Sequence, residues 1–416
     1  MNRFDGIVIG GGPAGMFAAI HAAKAGSRVL LLEANPRLGK KLLITGKGRC
    51  NLTNACTAET VLANIPRNGK FLYSAMDRCP PRYVIEFFEN AGCPLKVERG
   101  NRVFPVSDRS VSVLDCLKQQ LRNVGVTVKY QKVFEILQDE GAVCGVRTDN
   151  GILNAKWVIL ATGGVSYPAT GSTGDGYRMA ERLGHTIISP VGSLVPLEIA
   201  GDCCEAMQGL SLRNVGIKLL DSKGKTIYKD FGEMLFTHFG VSGPIVLSAS
   251  AHLKGDNCRL LLDLKPALDE GKLNDRILRD LDSYQNRTIE NALTDLLPRS
   301  MIPVVLKILQ IPADQKANSF TKQQRLALVQ LLKAFPLEIK GKRPVDEAII
   351  TSGGIKTSQI DPKTMESKIV PGLYFAGEII DCDAYTGGFN LQIAWATAFA
   401  CAEAVKPGID KRSGIY

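Results

Sequence analysis

The sequence predicts an α/β fold: a discontinuous two-dinucleotide (Rossmann-like) domain interrupted by a β-barrel-like insert that itself carries a helical subdomain. Three observations predict it. Residues 4–33, FDGIVIGGGPAGMFAAIHAAKAGSRVLLLE, read as strand, glycine turn, helix and strand. Two later buried-strand patterns, Trp157–Leu160 and Leu373–Ala376, each run into a glycine turn, ATGG at 161–164 and Gly377-Glu378. Between them the pattern changes to short strand-like runs and then to helical periodicity. The expected division is therefore 1–190, an insert at 191–344, and a return at 345–408. Within the insert, 191–265 and 335–344 read as barrel-like and 266–334 as helical.

Each glycine of the first stretch has a physical task. Gly10 turns the chain, Gly12 leaves room for a pyrophosphate beside the backbone, and Gly15 with Ala19 lets the helix pack on the sheet. Pro13 and Ala14 open the helix, whose free N–H groups and positive dipole end suit phosphate. Glu33 ends the second strand where a carboxylate can accept the ribose hydroxyls of an adenosine. The reading is adenine-dinucleotide binding.

The following stretch, 35–55, is rich in glycine and lysine and reads as a long polar loop. Residues 82–92 and 110–124 have the period of amphipathic helices. Val126–Lys129, Phe134–Leu137, Val143–Thr148 and Ile152–Asn154 alternate apolar and polar, with turns at 139–141 and 150–151, as in a β-meander. TGSTGDG at 170–176 opens a helix with residues suited to phosphate or ribityl contact. In the insert, Val195–Ile199, Ser211–Leu220, Thr226–Phe231 and Cys258–Leu264 read as strands. Helices follow over 267–334 with Pro298, Pro303 and Pro312 as breaks, then strand-like Pro336–Lys340. Val345–Ile355 returns to the first domain, and a small-residue helix is expected over Leu391–Val405.

Composition bounds the class. The 416 residues are 45% hydrophobic and 22% charged, as in a globular protein. The fingerprint strand begins at residue 4, so no signal or transit peptide is expected, and no apolar run reaches the ~20 residues that span a bilayer. Eleven cysteines stand without CxxC or finger-like spacing, so neither a metal site nor a disulfide framework is expected. The setting implied is a reduced, cytoplasmic one, without membrane or metal. The net charge of +10 is uneven: residues 37–109 hold 13 Lys+Arg against 6 Asp+Glu, while 345–416 hold 6 against 9. Such a surplus is either a solvated face or a funnel for an anion such as RNA, a nucleotide or a coenzyme A thioester.

IGGGPAG at 9–15, GKGRCNLTN at 46–54, ATGG at 161–164, LFTHFGVSGP at 235–244 and LYFAGEIIDCDAYTGGFN at 373–390 together resemble one family. It is the HI0933-like, or BaiN/RdsA-type, NAD(P)/FAD-dependent oxidoreductases. The resemblance covers essentially the whole chain. It implies FAD as the dinucleotide, NAD(P)H as electron donor and an insert capping the flavin. Family activities include reduction of activated C=C bonds, in conjugated enones of bile-acid intermediates or in uracil of large-subunit ribosomal RNA. Amine oxidation is another, and an RNA-binding flavoprotein with structural FAD is a reading from a different class. A small or thioester-linked acceptor is favoured, with RNA open. No second GxGxxG is present, so the nicotinamide would share one flavin face with substrate.

The candidate cofactor residues follow these motifs. They are Gly10, Gly12, Pro13, Ala14, Gly15 and Glu33; Lys41, Gly48, Arg49, Cys50 and Asn51; Val133; Ala161, Thr162 and Gly163; Gly377, Glu378 and Asp381; and Gly388, Asn390 and Leu391. The N-terminus of the last helix would favour a negatively charged reduced flavin. Three residues are candidate proton donors for C=C reduction. His238 lies in the loop that the resemblance sets over the flavin. Cys50 is either a thiol near the flavin or a packing residue; the five residues separating it from Cys56 do not match a redox pair. Tyr385 precedes GGFN.

Overall fold

The computed structural model of the protein describes residues 4–253, 255 and 257–405. These fall into two compact units: one runs to Ser193 and resumes at Val345, and the other is Leu194–Pro344. Residues 406–408, expected to close the returning segment, lie outside the described residues.

In the first unit, Gly6–Ile9 (β1), Val29–Glu33 (β2), Thr127–Tyr130 (β3), Trp157–Leu160 (β4) and Leu373–Phe375 (β5) form a parallel sheet in the order β5-β4-β1-β2-β3. Every residue of β1, β2, β4 and β5 is buried. That is why these strands read as continuous apolar runs and not as alternation. Pro13–Lys24 (α1) links β1 to β2, and Phe389–Ala404 (α2) packs against it. The small residues of both helices allow that approach. Trp395 of α2 is fully buried, 5.2 Å from the ring of Phe17, and donates its indole N–H to the Leu52 carbonyl at 2.8 Å. A buried indole with its one donor satisfied anchors this junction.

Two local expectations change. Residues 127–130 do not begin the meander; they pair in parallel with Leu30–Glu33 and extend the main sheet. The antiparallel meander consists of Val133–Asp139, Ala142–Thr148 and Gly151–Asn154. Alternation alone cannot name a strand's partner, and here the parallel site beside β2 was open. The 35–55 stretch is also more than a loop. It holds the helix Lys40–Ile44, a 3₁₀ turn at Thr45–Gly48 and the strand Thr53–Asn54, paired with Arg102–Pro105. Leu42, Cys50, Leu52, Thr53 and Asn54 are buried despite the polar composition around them.

The second unit is a closed six-stranded barrel. Its order is Leu197–Ile199, Gly240–Ser242, Thr226–Thr237, Ser211–Leu220, Arg259–Asp263 and Phe335–Lys342, the last pairing back to the first. Closure leaves no edge strand to be protected. The helices Glu270–Ser283, Ile289–Ala292, Ile302–Leu309 and Lys322–Lys333 share an apolar core with it. Pro303 does not break a helix; it sits in the first turn of Ile302–Leu309, where a missing N–H costs nothing. The fold class is the mixed α/β arrangement that the sequence predicts.

Candidate functional site

The site begins in the turn after β1. Gly10 has φ +107°, and a Cβ there would stand 2.4 Å from the Ala161 carbonyl oxygen. A Cβ at Gly15 would stand 1.8 Å from the Gly10 oxygen. Both positions are closed by backbone that cannot yield. Gly12 is different, because a Cβ there meets nothing within 4 Å. It is the N-cap of α1, with no side-chain cap and Pro13 following, so the first-turn amides are left for a ligand.

Glu33 fastens this turn to the end of β2. One oxygen accepts from the Gly11 N–H at 2.7 Å, and the other from the Asn35 backbone and side-chain N–H groups, both at 2.7 Å. Lys40 holds the Asn35 side-chain oxygen at 3.0 Å and the Ala169 carbonyl at 2.9 Å. Asn35 and Lys40 were not singled out from the sequence. Their only signal is their place just after the strand-ending acid.

A continuous cleft is walled by Gly10, Gly12, Pro13, Ala14, Glu33 and Lys41, then by Val133, Ala161, Thr162, Gly163, Gly377, Glu378, Asn390 and Leu391. TGSTGDG also reaches it through Thr170, Gly171, Ser172 and Asp175. Two buried side-chain oxygens on the cleft, Gln131 Oε1 and Thr162 Oγ1, have no hydrogen-bond partner. A buried polar atom left unmatched costs about 1–3 kcal/mol, so the cleft is built for a polar ligand. Open backbone at Gly12, free helix amides, an anchored acid and unmatched acceptors together fit an adenine dinucleotide. Gln131 lies outside any glycine motif, which is why the sequence reading missed it.

Within the cleft wall lies an ion pair. Lys41 Nζ is 2.6 Å from Glu378 and donates to Ser166 Oγ at 2.8 Å. The other Glu378 oxygen accepts from Ser166 Oγ and the Thr351 N–H, both at 2.9 Å. Burial works against the Glu378 charge, but the Lys41 ammonium and these donors prevail and hold the carboxyl below its ordinary range. The sequence named Lys41 and Glu378 as cofactor contacts; in the structure each one's charge is met by the other.

Other expected contacts are not on the cleft wall. Gly15 packs inside against Gly10. Arg49 is tied to Glu98 and Asp108 and lies 4.2 Å from the Phe104 ring centroid. Gly48 and Asn51 belong to the same turn, and Asn51 Oδ1 is a further buried oxygen without a partner. Cys50, with φ +62°, is fully buried in the apolar core, and burial pushes its thiol up to about 12. That is the packing alternative for Cys50, not the accessible donor. Asp381 is held by Arg67 at 3.1 Å and by Asn68 at 3.0 Å; burial raises its carboxyl and Arg67 partly offsets that. Gly388 caps α2 at φ +96°, where a Cβ would be 2.3 Å from the Thr53 oxygen. Asn390 does line the cleft, but its side chain is spent on Ala384, accepting from its N–H at 2.8 Å and donating to its carbonyl at 2.7 Å. Tyr385 is partly buried and its N–H donates to the Asn64 carbonyl at 3.0 Å.

His238 belongs to the second unit. It is exposed at the tip of the turn joining Thr226–Thr237 to Gly240–Ser242. The next residue, Phe239, carries the Arg343 guanidinium 4.6 Å from its ring centroid, and Arg343 bonds Glu198 at 2.9 Å. Among the described residues no three His, Cys, Asp or Glu side chains are grouped to hold a metal ion, and no helix is long and apolar enough to cross a membrane.

The parallel sheet, the glycine turn and the cleft define a dinucleotide-binding protein, and the family and relatives it matches are FAD-dependent oxidoreductases. The chain belongs to the HI0933-like family, whose Rossmann-domain model matches residues 4–404. It is 32% identical to the 3-dehydro-bile acid delta(4,6)-reductase of Clostridium scindens, over 97% of this chain and 99% of that one. It is 31% identical to the ribosomal RNA dihydrouridine synthase of Escherichia coli, over 97% and 98%. Its fold is similar to that of the 3-ketosteroid-delta4-(5alpha)-dehydrogenase of Rhodococcus jostii, with a TM-score of 0.55, 16% identity and 97% of each chain covered.

Proposed function

We propose that the protein uses NAD(P)H to reduce an electron-poor C=C bond, in the conjugated enone of a steroid-like or thioester-linked acceptor. The observation that carries this reading is the full-length likeness to a bile-acid reductase and to a dihydrouridine synthase. The reactions in those two names share one chemistry, addition of hydride and proton across a C=C conjugated with a carbonyl. When bound, FAD would supply the hydride relay between nicotinamide and acceptor.

The chain's own residues would do the rest. The amides of Gly12, Ala14 and Gly15 at the α1 N-terminus would hold the pyrophosphate, and Glu33, fixed by Gly11 and Asn35, would accept from a ribose hydroxyl. Thr162 and Gln131 would find the partners they lack. The amides of Asn390 and Leu391, at the start of a 16-residue helix, would favour negative charge beside them. Lys41 and Glu378 would keep the wall rigid. His238 is the candidate proton donor, with Tyr385 as the alternative. The unit carrying His238 is proposed to act as the substrate-side insert, within the expected 191–344 limits.

The small acceptor is preferred to RNA because five cations of the basic stretch are already held in ion pairs. Arg49 and Lys96 are neutralised by Glu98 and Asp108, Arg67 by Asp381 and Asp383, Arg82 by Glu86 and Lys41 by Glu378. Cys50, Cys56, Cys79, Cys93, Cys116, Cys144, Cys382 and Cys401 are free thiols, which suits a reducing cytoplasm. The test is stopped-flow reduction of the flavin by NADH and by NADPH, then reoxidation by an enone, by uridine-containing RNA and by O2 after an amine. Reoxidation by the enone alone supports the proposal. RNA binding whose log–log salt slope falls by roughly 0.7–0.9 per phosphate would replace it with the RNA reading.

A further inference from the structure

Cys203 and Cys204 stand side by side in the Leu194–Pro344 unit, in the short helix Cys203–Ala206, and have no part in the cofactor cleft. Their sulfur atoms are 4.0 Å apart. Cys204 is buried at 3% exposure, whereas Cys203 is partly open to solvent. Lys307 Nζ lies 2.7 Å from the Asp202 carboxylate beside them; the Asp202 charge, with burial, opposes ionisation of Cys203. Most other thiols of the chain are sealed in the core: Cys50, Cys79, Cys93, Cys116, Cys382 and Cys401 are all buried, and burial pushes each of them up. Cys203 goes the other way. The thiol of Cys204 donates to it and stabilises its anion, the same interaction that raises Cys204.

We propose that Cys203 and Cys204 form a peroxide-reactive dithiol, in which Cys203 is oxidised first and Cys204 resolves it. The Cys203 thiolate attacks one peroxide oxygen; an S–O bond forms, the O–O bond breaks, and hydroxide leaves and takes up the proton the thiol released. The Cys204 thiol then displaces hydroxyl from that sulfur, forming the S–S bond and releasing water. Two thiols lose two electrons and two protons; hydrogen peroxide ends as two waters, and an alkyl hydroperoxide, whose alkoxide leaves in place of hydroxide, as one alcohol and one water. The oxidant class is hydrogen peroxide or an alkyl hydroperoxide. Consecutive Cα atoms are ~3.8 Å apart, less than the ~4.4–6.8 Å that relaxed bridges span. The bridge is therefore strained and easily reduced, as a reversible modification requires.

The chain provides a convenient readout, because trypsin releases Leu183–Arg213 with Cys203 and Cys204 as its only cysteines. The flavin-loaded protein is treated with graded hydrogen peroxide, quenched by alkylation and digested. The expected result is loss of two hydrogens from this peptide, reversed by dithiothreitol. It should appear at least about tenfold faster than oxidation of the other partly exposed thiols, Cys56 and Cys144. In Cys204→Ser the Cys203 sulfenic acid should persist and take a dimedone adduct; in Cys203→Ser neither product should form. Oxidation of Cys56 or Cys144 at an equal rate would overturn the proposal. So would a dimedone adduct on Cys204 in Cys203→Ser, or a peptide unchanged by peroxide up to the point of unfolding.

Discussion

Gly12→Val separates cofactor binding from folding. The backbone at Gly12 is extended, φ −78° and ψ −175°, which valine adopts, and a Cβ there meets no atom within 4 Å. The apoprotein should therefore fold. Its loss is limited to the poorer N-cap, about 1 kcal/mol, or a few degrees in Tm. The new methyl groups occupy the space through which a pyrophosphate would reach the α1 amides. Losing two charge-assisted hydrogen bonds at ~1.5–3 kcal/mol each weakens FAD by about 3–6 kcal/mol, roughly 10²–10⁴ in affinity. Purified Gly12→Val should be colourless, with a near-normal melting curve. Gly15→Ala is the contrasting variant: its Cβ would meet the Gly10 oxygen at 1.8 Å, so it should lose stability itself, by ~1–3 kcal/mol or more. A Gly12→Val protein that retains one FAD per chain would refute the assignment of this turn to the pyrophosphate.

Lys41→Met should cost about 2–4 kcal/mol at pH 7, because it strands the Glu378 carboxylate. Glu378 titrates below 4.5 when folded, so its stabilisation is present above about 4.5 and lost as pH falls through the folded value. Urea denaturation should show wild type and variant converging at low pH. His21 lies among Phe17, Phe87 and Phe399, and burial, then Lys24, lowers it from 6.5 to about 3. The unfolded imidazole takes its proton first, so stability declines as pH drops from 6.5 toward 3. By pH 5 the decline should be about 2 kcal/mol, absent in His21→Leu when both are melted across that range. His238→Ala should leave FAD content and nicotinamide-driven reduction unchanged while slowing reoxidation by the acceptor ~10²–10⁴-fold. Unchanged reoxidation would pass the role to Tyr385 or water, with Tyr385→Phe as the parallel measurement.

The legible part of the fold was the part carried by period and glycine. β1, α1, β2, β4 and β5 are short buried runs between turns, and the sequence marks them directly. What it did not mark was pairing. Thr127–Tyr130 alternates like its neighbours in the meander, yet it joins the parallel sheet, since its partner Leu30–Glu33 lies almost a hundred residues earlier. The same limit hid the small sheet of Thr53–Asn54, Leu95–Glu98 and Arg102–Pro105. Leu95–Glu98 carries Lys96 in its interior, Arg102–Pro105 opens on a charge, and only the tertiary fold buries Thr53 and Asn54 beside them.

The site divides in the same way. Gly10, Gly12, Glu33, Ala161–Gly163 and Gly377 act through backbone shape, and such positions admit few residue types, so a motif reveals them. Lys41, Arg49, Arg67, Glu378 and Asp381 act through charge, and a charged residue can serve a ligand or another side chain equally well. The structure pairs all five with neighbouring side chains: Lys41 with Glu378, Arg49 with Glu98, and Arg67 with Asp381. That pairing changes what they can do. A paired lysine contributes little attraction to an anion at a distance, but it fixes a carboxylate that would otherwise be free to move on the cleft wall. It follows that neutralising Arg49 or Arg67 should first disturb local stability, and should alter nucleotide affinity only as far as the wall itself moves.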